Sequence, residues 1–329
     1  MLDSILPWQE KLWQQMVTNP HPAHAYLLYG KKGIGKHLFA DQLTRYWLCL
    51  TPNHKLPCGY CKSCHLLATS GAHPDFFQLI PTESDFIKVD QVRELVDFVN
   101  QTSQISKGKV VVIEPAEALN LNAANALLKS LEEPNGNTRF ILVSHQPGQL
   151  LATIKSRCIQ QLCPMPSKEQ ALTWLQSQLT SLSTQELTQL WLLAGHTPLY
   201  ALELYEQDIL QQRQRLVADI KKILKQQIVA GQIVESWTNI PLIIIYDWFC
   251  SWLHIILSYQ LTHDDSQLGM ADMAKVLVYM ANKIAPMKLL ALQQELLTER
   301  QKVLRKANFN KLLLLESLLI RWNNLLTTR

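Results

Sequence analysis

Apolar and polar positions along the chain fall into two regimes. Up to about residue 166, short apolar runs alternate with stretches of helical period; beyond it the period is helical throughout. The densest run, Lys109-Val-Val-Val-Ile-Glu114, sets three valines and an isoleucine in succession. It predicts a strand buried on both faces, as in a parallel sheet. Ala25 to Tyr29, Phe76 to Ile80 and Phe140 to Val143 predict three further strands. Between them lie predicted helices: Trp8 to Met16 with Leu12 and Trp13 turned inward, and a helix ending at Leu48. Asp90 caps a third, with an apolar stripe at Val92, Leu95, Val96 and Val99. A fourth runs from Asn122 and stops before Pro134. Strands alternating with helices argue for a doubly wound α/β domain over 1–166. After Pro164-Met-Pro166, a small helical domain is expected over 167–206 and a helical C-terminal domain over 207–329. The latter includes amphipathic stretches at Leu289 to Leu297 and Leu312 to Leu326. No internal repeat or low-complexity tract interrupts the pattern.

Composition narrows the class. With 329 residues, 47% of them hydrophobic and only 11 glycines, the chain suits two or three folded, helix-rich domains. A formal charge of +4 neither demands nor excludes nucleic acid. No basic leader with a short apolar core opens the sequence, so a signal peptide is not expected and a cytoplasmic setting is. The most membrane-like run, Leu242 to Leu261, carries Asp247, His254 and Gln260, which are expensive in lipid; a buried helix is expected there. Seven cysteines, four of them clustered, point to metal in a reducing compartment rather than to disulfides.

Three stretches carry candidate chemistry. Gly30-Lys-Lys-Gly-Ile-Gly-Lys-His37 follows a predicted strand and opens a helix, the context of a phosphate-binding loop. Gly30, Gly33 and Gly35 would let backbone amides face a phosphate, and Lys36 would reach its outer oxygens. His37, however, replaces the hydroxyl that ligates magnesium. At the tip of the central strand a nucleotide hydrolase needs an Asp and then a Glu; here stand Glu114 and Pro115. The loop and acidic site are therefore degenerate: magnesium is not expected, and ATP binding is left open. Cys49, Cys58, Cys61 and Cys64, with eight, two and two residues between them, suit a closed tetrahedral zinc site of structural type. Unrelated thiols or a single redox Cys-x-x-Cys pair are the alternatives. His54, His65 and His73 are expected at the surface beside the cluster, and Cys158, Cys163 and Cys250 as separate thiols.

Taken in order, the glycine loop, cysteine module, valine strand, the Asn122 to Pro134 helix and Ser156-Arg157-Cys158 resemble the AAA+ clamp-loader family over nearly all of residues 1–165. The resemblance implies an AAA+ α/β domain with an inserted zinc module at about 49–64, a small helical lid and an all-α oligomerisation domain. It implies that Arg157 acts as an arginine finger on a neighbouring subunit's ATP, and that Ser144 stands at a polar sensor position. The Gly195-His-Thr-Pro-Leu-Tyr-Ala-Leu segment is similar to the second sensor, where hydrolysing members place an arginine; none occurs here between Arg157 and Arg213. The implied function is that of a non-hydrolysing subunit of the replicative DNA polymerase III clamp loader. Its implied partners are gamma/tau-type and delta-type subunits in a hetero-oligomeric ring, the sliding clamp and primer-template DNA. An active gamma/tau-type ATPase and a zinc-dependent nucleic-acid-binding module are the alternative readings.

Overall fold

The computed structural model describes residues 5–69, 71–82, 84–225, 227–228, 230–268, 272–304 and 310–327. The chain divides into two compact units, residues 1–203 and 204–329.

The first unit is built on a parallel sheet. In chain order it contains α1 (Glu10–Thr18), β1 (Ala25–Tyr29), α2 (Lys36–Leu48), α3 (Lys62–Thr69), β2 (Phe76–Leu79), α4 (Val89–Asn100) and β3 (Lys109–Ile113). It continues with α5 (Leu121–Glu132), β4 (Thr138–Ser144), the single turn α6 (Ala152–Lys155) and β5 (Ile159–Leu162). Helices α7 (Lys168–Gln178), α8 (Thr184–Leu193) and α9 (Pro198–Glu206) follow. The strand order is β2-β3-β4-β1-β5. The central strands alternate side chains between two cores, which explains their unbroken apolar runs. One core joins Leu27, Val111, Ile113, Phe140 and Leu142 to α4 and α5; the other joins Leu28, Val110, Val112, Ile141 and Val143 to α1 and α2. This is a five-stranded parallel α/β sheet with helices on both faces, the fold class that the alternation of strands and helices predicts.

Strand β5 lay outside the sequence expectations. It is an edge strand whose Gln160 and Gln161 break the apolar pattern, and Ile159 and Leu162 are exposed. Edge strands need no two-sided apolar run. His73 also departs from expectation: it is buried rather than at the surface, because its Nδ1 accepts the Asp75 backbone N–H at 3.0 Å. Asp75 in turn is fully buried, and its carboxylate accepts three backbone N–H groups, of Gln104, Ile105 and Ser106, which fixes the polar loop before β3. The exposed His54 and His65 conform.

The second unit contains α10 (Ile209–Leu224), α11 (Leu242–Thr262), α12 (Ala274–Lys283), α13 (Pro286–Leu304) and α14 (Lys311–Thr327). Among the described residues α11 is the one helix long and apolar enough to cross a membrane, and half of its apolar window is buried inside the unit. Its Phe249 and Trp252 pack with Trp322 of α14 in an aromatic cluster. Arg213 of α10 lies over Trp248 and Trp252 and pairs with Asp272 at 2.8 Å.

Candidate functional site

The candidate residues gather at the carboxyl ends of β1, β3 and β4, where open parallel sheets place their sites. The loop after β1 turns tightly through Gly33 and Gly35, which have φ of +81° and +89°, and α2 starts at Lys36. Both glycines are needed for conformation and for closeness. A Cβ at Gly33 would meet Tyr200 and Thr197 at under 3 Å, and one at Gly35 would meet Leu6 at 2.2 Å. The loop is thus enclosed from two sides. Trp8 Nε1 and Gln9 Nε2 donate to the Ile34 carbonyl at 2.9 and 3.0 Å, and Leu199 N donates to the Gly33 carbonyl at 3.0 Å. The 195–202 segment picked out by sequence therefore lies over the loop, and the contacts of Trp8, Gln9 and Leu199 had no local sequence signal.

Lys36 is 2% exposed, and its ammonium donates to the carbonyls of Gly30 and Lys31 at 2.7 and 2.6 Å. Burial pulls its pKa down to about 8, with Cys163, Glu114 and Glu117 opposing. Its charge is thus directed at its own loop rather than outward.

His37 Nδ1 stands 2.5 Å from Glu114 Oε2, and this hydrogen bond raises the histidine pKa despite burial. Two ligand atoms on adjacent vertices of a magnesium octahedron stand about 3.0 Å apart, given metal–oxygen distances of about 2.1 Å. A directly bonded imidazole and carboxylate leave no such opening, so these residues do not fit a bound magnesium. Nearby, Glu117 accepts the His145 backbone N–H at 2.9 Å, and fully buried Ser144 accepts from Gln146 N at 3.2 Å. Burial and then the Lys36 charge lower the His145 pKa.

Arg157 lies elsewhere, after α6, where it donates through Nε to Glu132 Oε1 at 2.7 Å and through Nη1 to the Thr153 carbonyl at 3.0 Å. The four clustered cysteines form a third group. Their sulfurs all lie within 4.8 Å of one another, with Cys49–Cys61 and Cys58–Cys64 both at 3.9 Å. A tetrahedral ion with metal–sulfur bonds of about 2.3 Å would require sulfurs about 3.8 Å apart. Backbone N–H groups of Cys58, Cys61 and Cys64 point at the sulfurs of Cys49, Cys58 and Cys61, which favours thiolates. The cluster could hold a metal ion, compatible with structural zinc.

Comparison with known proteins sets these groups in a family. Residues 6–165 match the family described as DNA polymerase III, delta subunit, and residues 207–324 the family described as DNA polymerase III, delta subunit, C terminal. The DNA polymerase III subunit delta' of Pseudomonas aeruginosa is 52% identical over 322 residues, 98% of each chain. That of Escherichia coli is 30% identical and covers 96% of this chain and 94% of its own. That of Haemophilus influenzae is 32% identical over 83% of both. With identity of this level running through both units, the chain belongs to the DNA polymerase III subunit delta' family.

Proposed function

We propose that this chain is a non-hydrolysing AAA+ subunit of the replicative clamp loader, which helps to load a sliding clamp onto primed DNA. The observation that carries the proposal is the His37–Glu114 pair: the residues that stand where a working ATPase places its magnesium ligands bond to each other instead. Pro115 and the lack of any arginine between Arg157 and Arg213 point the same way. Residues 49–64 hold one structural zinc through Cys49, Cys58, Cys61 and Cys64. Residues 167–206 form a lid, and 207–329 assemble with gamma/tau-type and delta-type subunits in a ring. Within that ring Arg157 reaches the ATP of one neighbour, where a planar guanidinium can neutralise charge building on the transferring phosphoryl group.

The test is reconstitution with the other clamp-loader subunits. The isolated chain should turn over no ATP, and the complete ring should hydrolyse it and load clamp. Arg157→Ala should leave assembly intact and slow the one site it serves. An arginine finger is worth roughly 10³–10⁵ in rate at its own site, so the fall in total turnover of a multi-site ring is smaller. Arg157→Lys should not restore the rate, since an ammonium lacks the bidentate fork. Wild-type loading by the Arg157→Ala ring would refute the finger assignment. ATP turnover by the isolated chain would refute the non-hydrolysing one.

A further inference from the structure

We infer that Glu132 is a positioning residue for Arg157: its carboxylate holds the guanidinium in the orientation from which it meets a neighbour's phosphoryl group. The inference rests on the finger role proposed above and deepens it. Glu132 is the last residue of α5, a place where the partial negative charge of the helix end disfavours a carboxylate. The Arg157 guanidinium supplies the cation that such a site calls for. Its Nε and Nη2 both donate to Glu132 Oε1, and Nη1 is tied to the Thr153 carbonyl.

The backbones at both ends of the pair are fixed by one core. Leu131, beside Glu132, is fully buried there, and so is Ile154; Cys158, beside Arg157, is 8% exposed in the same cluster. The side chains themselves are half-exposed, at 28% for Arg157 and 48% for Glu132. Such a pair is too weak in water to lock the arginine away from a phosphate. It does remove rotamer freedom from a long side chain, which is what preorganisation requires. Nε is occupied, and so is one hydrogen on each of Nη1 and Nη2, which leaves the second hydrogen of each Nη group to face a second subunit.

The experiment uses the reconstituted ring in which only the ATP site facing Arg157 is competent. Single-site turnover is compared for wild type, Glu132→Gln, Arg157→Ala and the double variant. Glu132→Gln keeps size and hydrogen-bonding capacity but loses the charge. It should lower kcat roughly tenfold, less than Arg157→Ala, with the KM for ATP and the melting midpoint nearly unchanged. In the double variant it should add nothing, because the group it orients is gone. An unchanged or higher kcat for Glu132→Gln, alongside a loss for Arg157→Ala, would overturn this inference alone. No loss for Arg157→Ala would overturn the finger role and this inference with it.

Discussion

His37 and Glu114 share a hydrogen bond that depends on a proton, and that makes the pair measurable. The hydrogen bond to Glu114 raises the His37 pKa above its ordinary 6.5, against the effect of burial. The folded state then binds the proton more tightly than the unfolded chain. The pair's stabilisation is therefore complete below about pH 6.5 and is lost as pH rises through the folded pKa. Because the His37 side chain is 58% exposed, the contribution stays below about 1 kcal/mol. The melting-temperature gap between wild type and Glu114→Gln should be widest below about pH 6.5 and close as pH rises through the raised folded-state pKa. A gap independent of pH would mean that the imidazole is neutral throughout. Lys36→Ala makes a separate prediction. The carbonyls of half-buried Gly30 and exposed Lys31 lose their donor, so stability should fall by about 1 kcal/mol, while ATP turnover of the reconstituted ring stays unchanged. Thermal melts and turnover on the same preparation separate the two effects. At this scale the glycines, Lys36, Glu114 and the cysteines were legible in sequence because they sit in short motifs. The partners that decide what they do were not: Leu199 closes on Gly33, and Glu132 on Arg157, from elements distant in the chain.

Elements were legible in proportion to how far their burial enforces a pattern. Strands β1, β3 and β4 are central and carry unbroken apolar runs; β5, at the edge, carries none. Helices α4 and α5 announced themselves by an apolar stripe and, for α5, by Pro134 just beyond the end. The cysteine module has little regular structure of its own. Residues 50–61 between α2 and α3 contain only one short bridge, Asn53 with Leu56, so a metal would supply most of the local order. Freshly purified protein should contain one zinc per chain. Cys61→Ser should lose most of it and expose 50–61 to protease while the parallel sheet, whose cores lie in other segments, remains folded. Full metal content in Cys61→Ser would remove that cysteine from the ligand set.

The two units differ in what their side chains offer. Every candidate chemical group lies in residues 1–203, and among the described residues 204–329 hold no cluster of potential metal ligands. What the second unit has instead is an internally braced helical core. The pattern of amphipathic helices predicted that much, but not its bracing, since Asp272 comes from the segment before α12 to meet Arg213 on α10. The Arg213 side chain is 5% exposed and stacked on two indoles, so that carboxylate is what compensates its buried charge. Breaking a fully buried pair by removing one partner costs about 3–5 kcal/mol. Asp272 is 27% exposed, which lets water reach the pair, so Asp272→Asn should cost less, about 2–3 kcal/mol. Arg213→Met should cost less still, because it leaves an apolar side chain against tryptophan and no unpaired guanidinium. The consequence for the molecule is selective. Asp272→Asn should weaken incorporation into the ring only near its lowered melting midpoint, where the unfolded fraction becomes appreciable, while zinc content and the pH response of the His37–Glu114 pair stay at wild-type values. Subunit titration by analytical ultracentrifugation, metal analysis and pH-dependent melts on one preparation measure all three. Ring incorporation by Asp272→Asn that persists at temperatures where tryptophan fluorescence shows residues 204–329 melted would place the assembly surface outside residues 207–329.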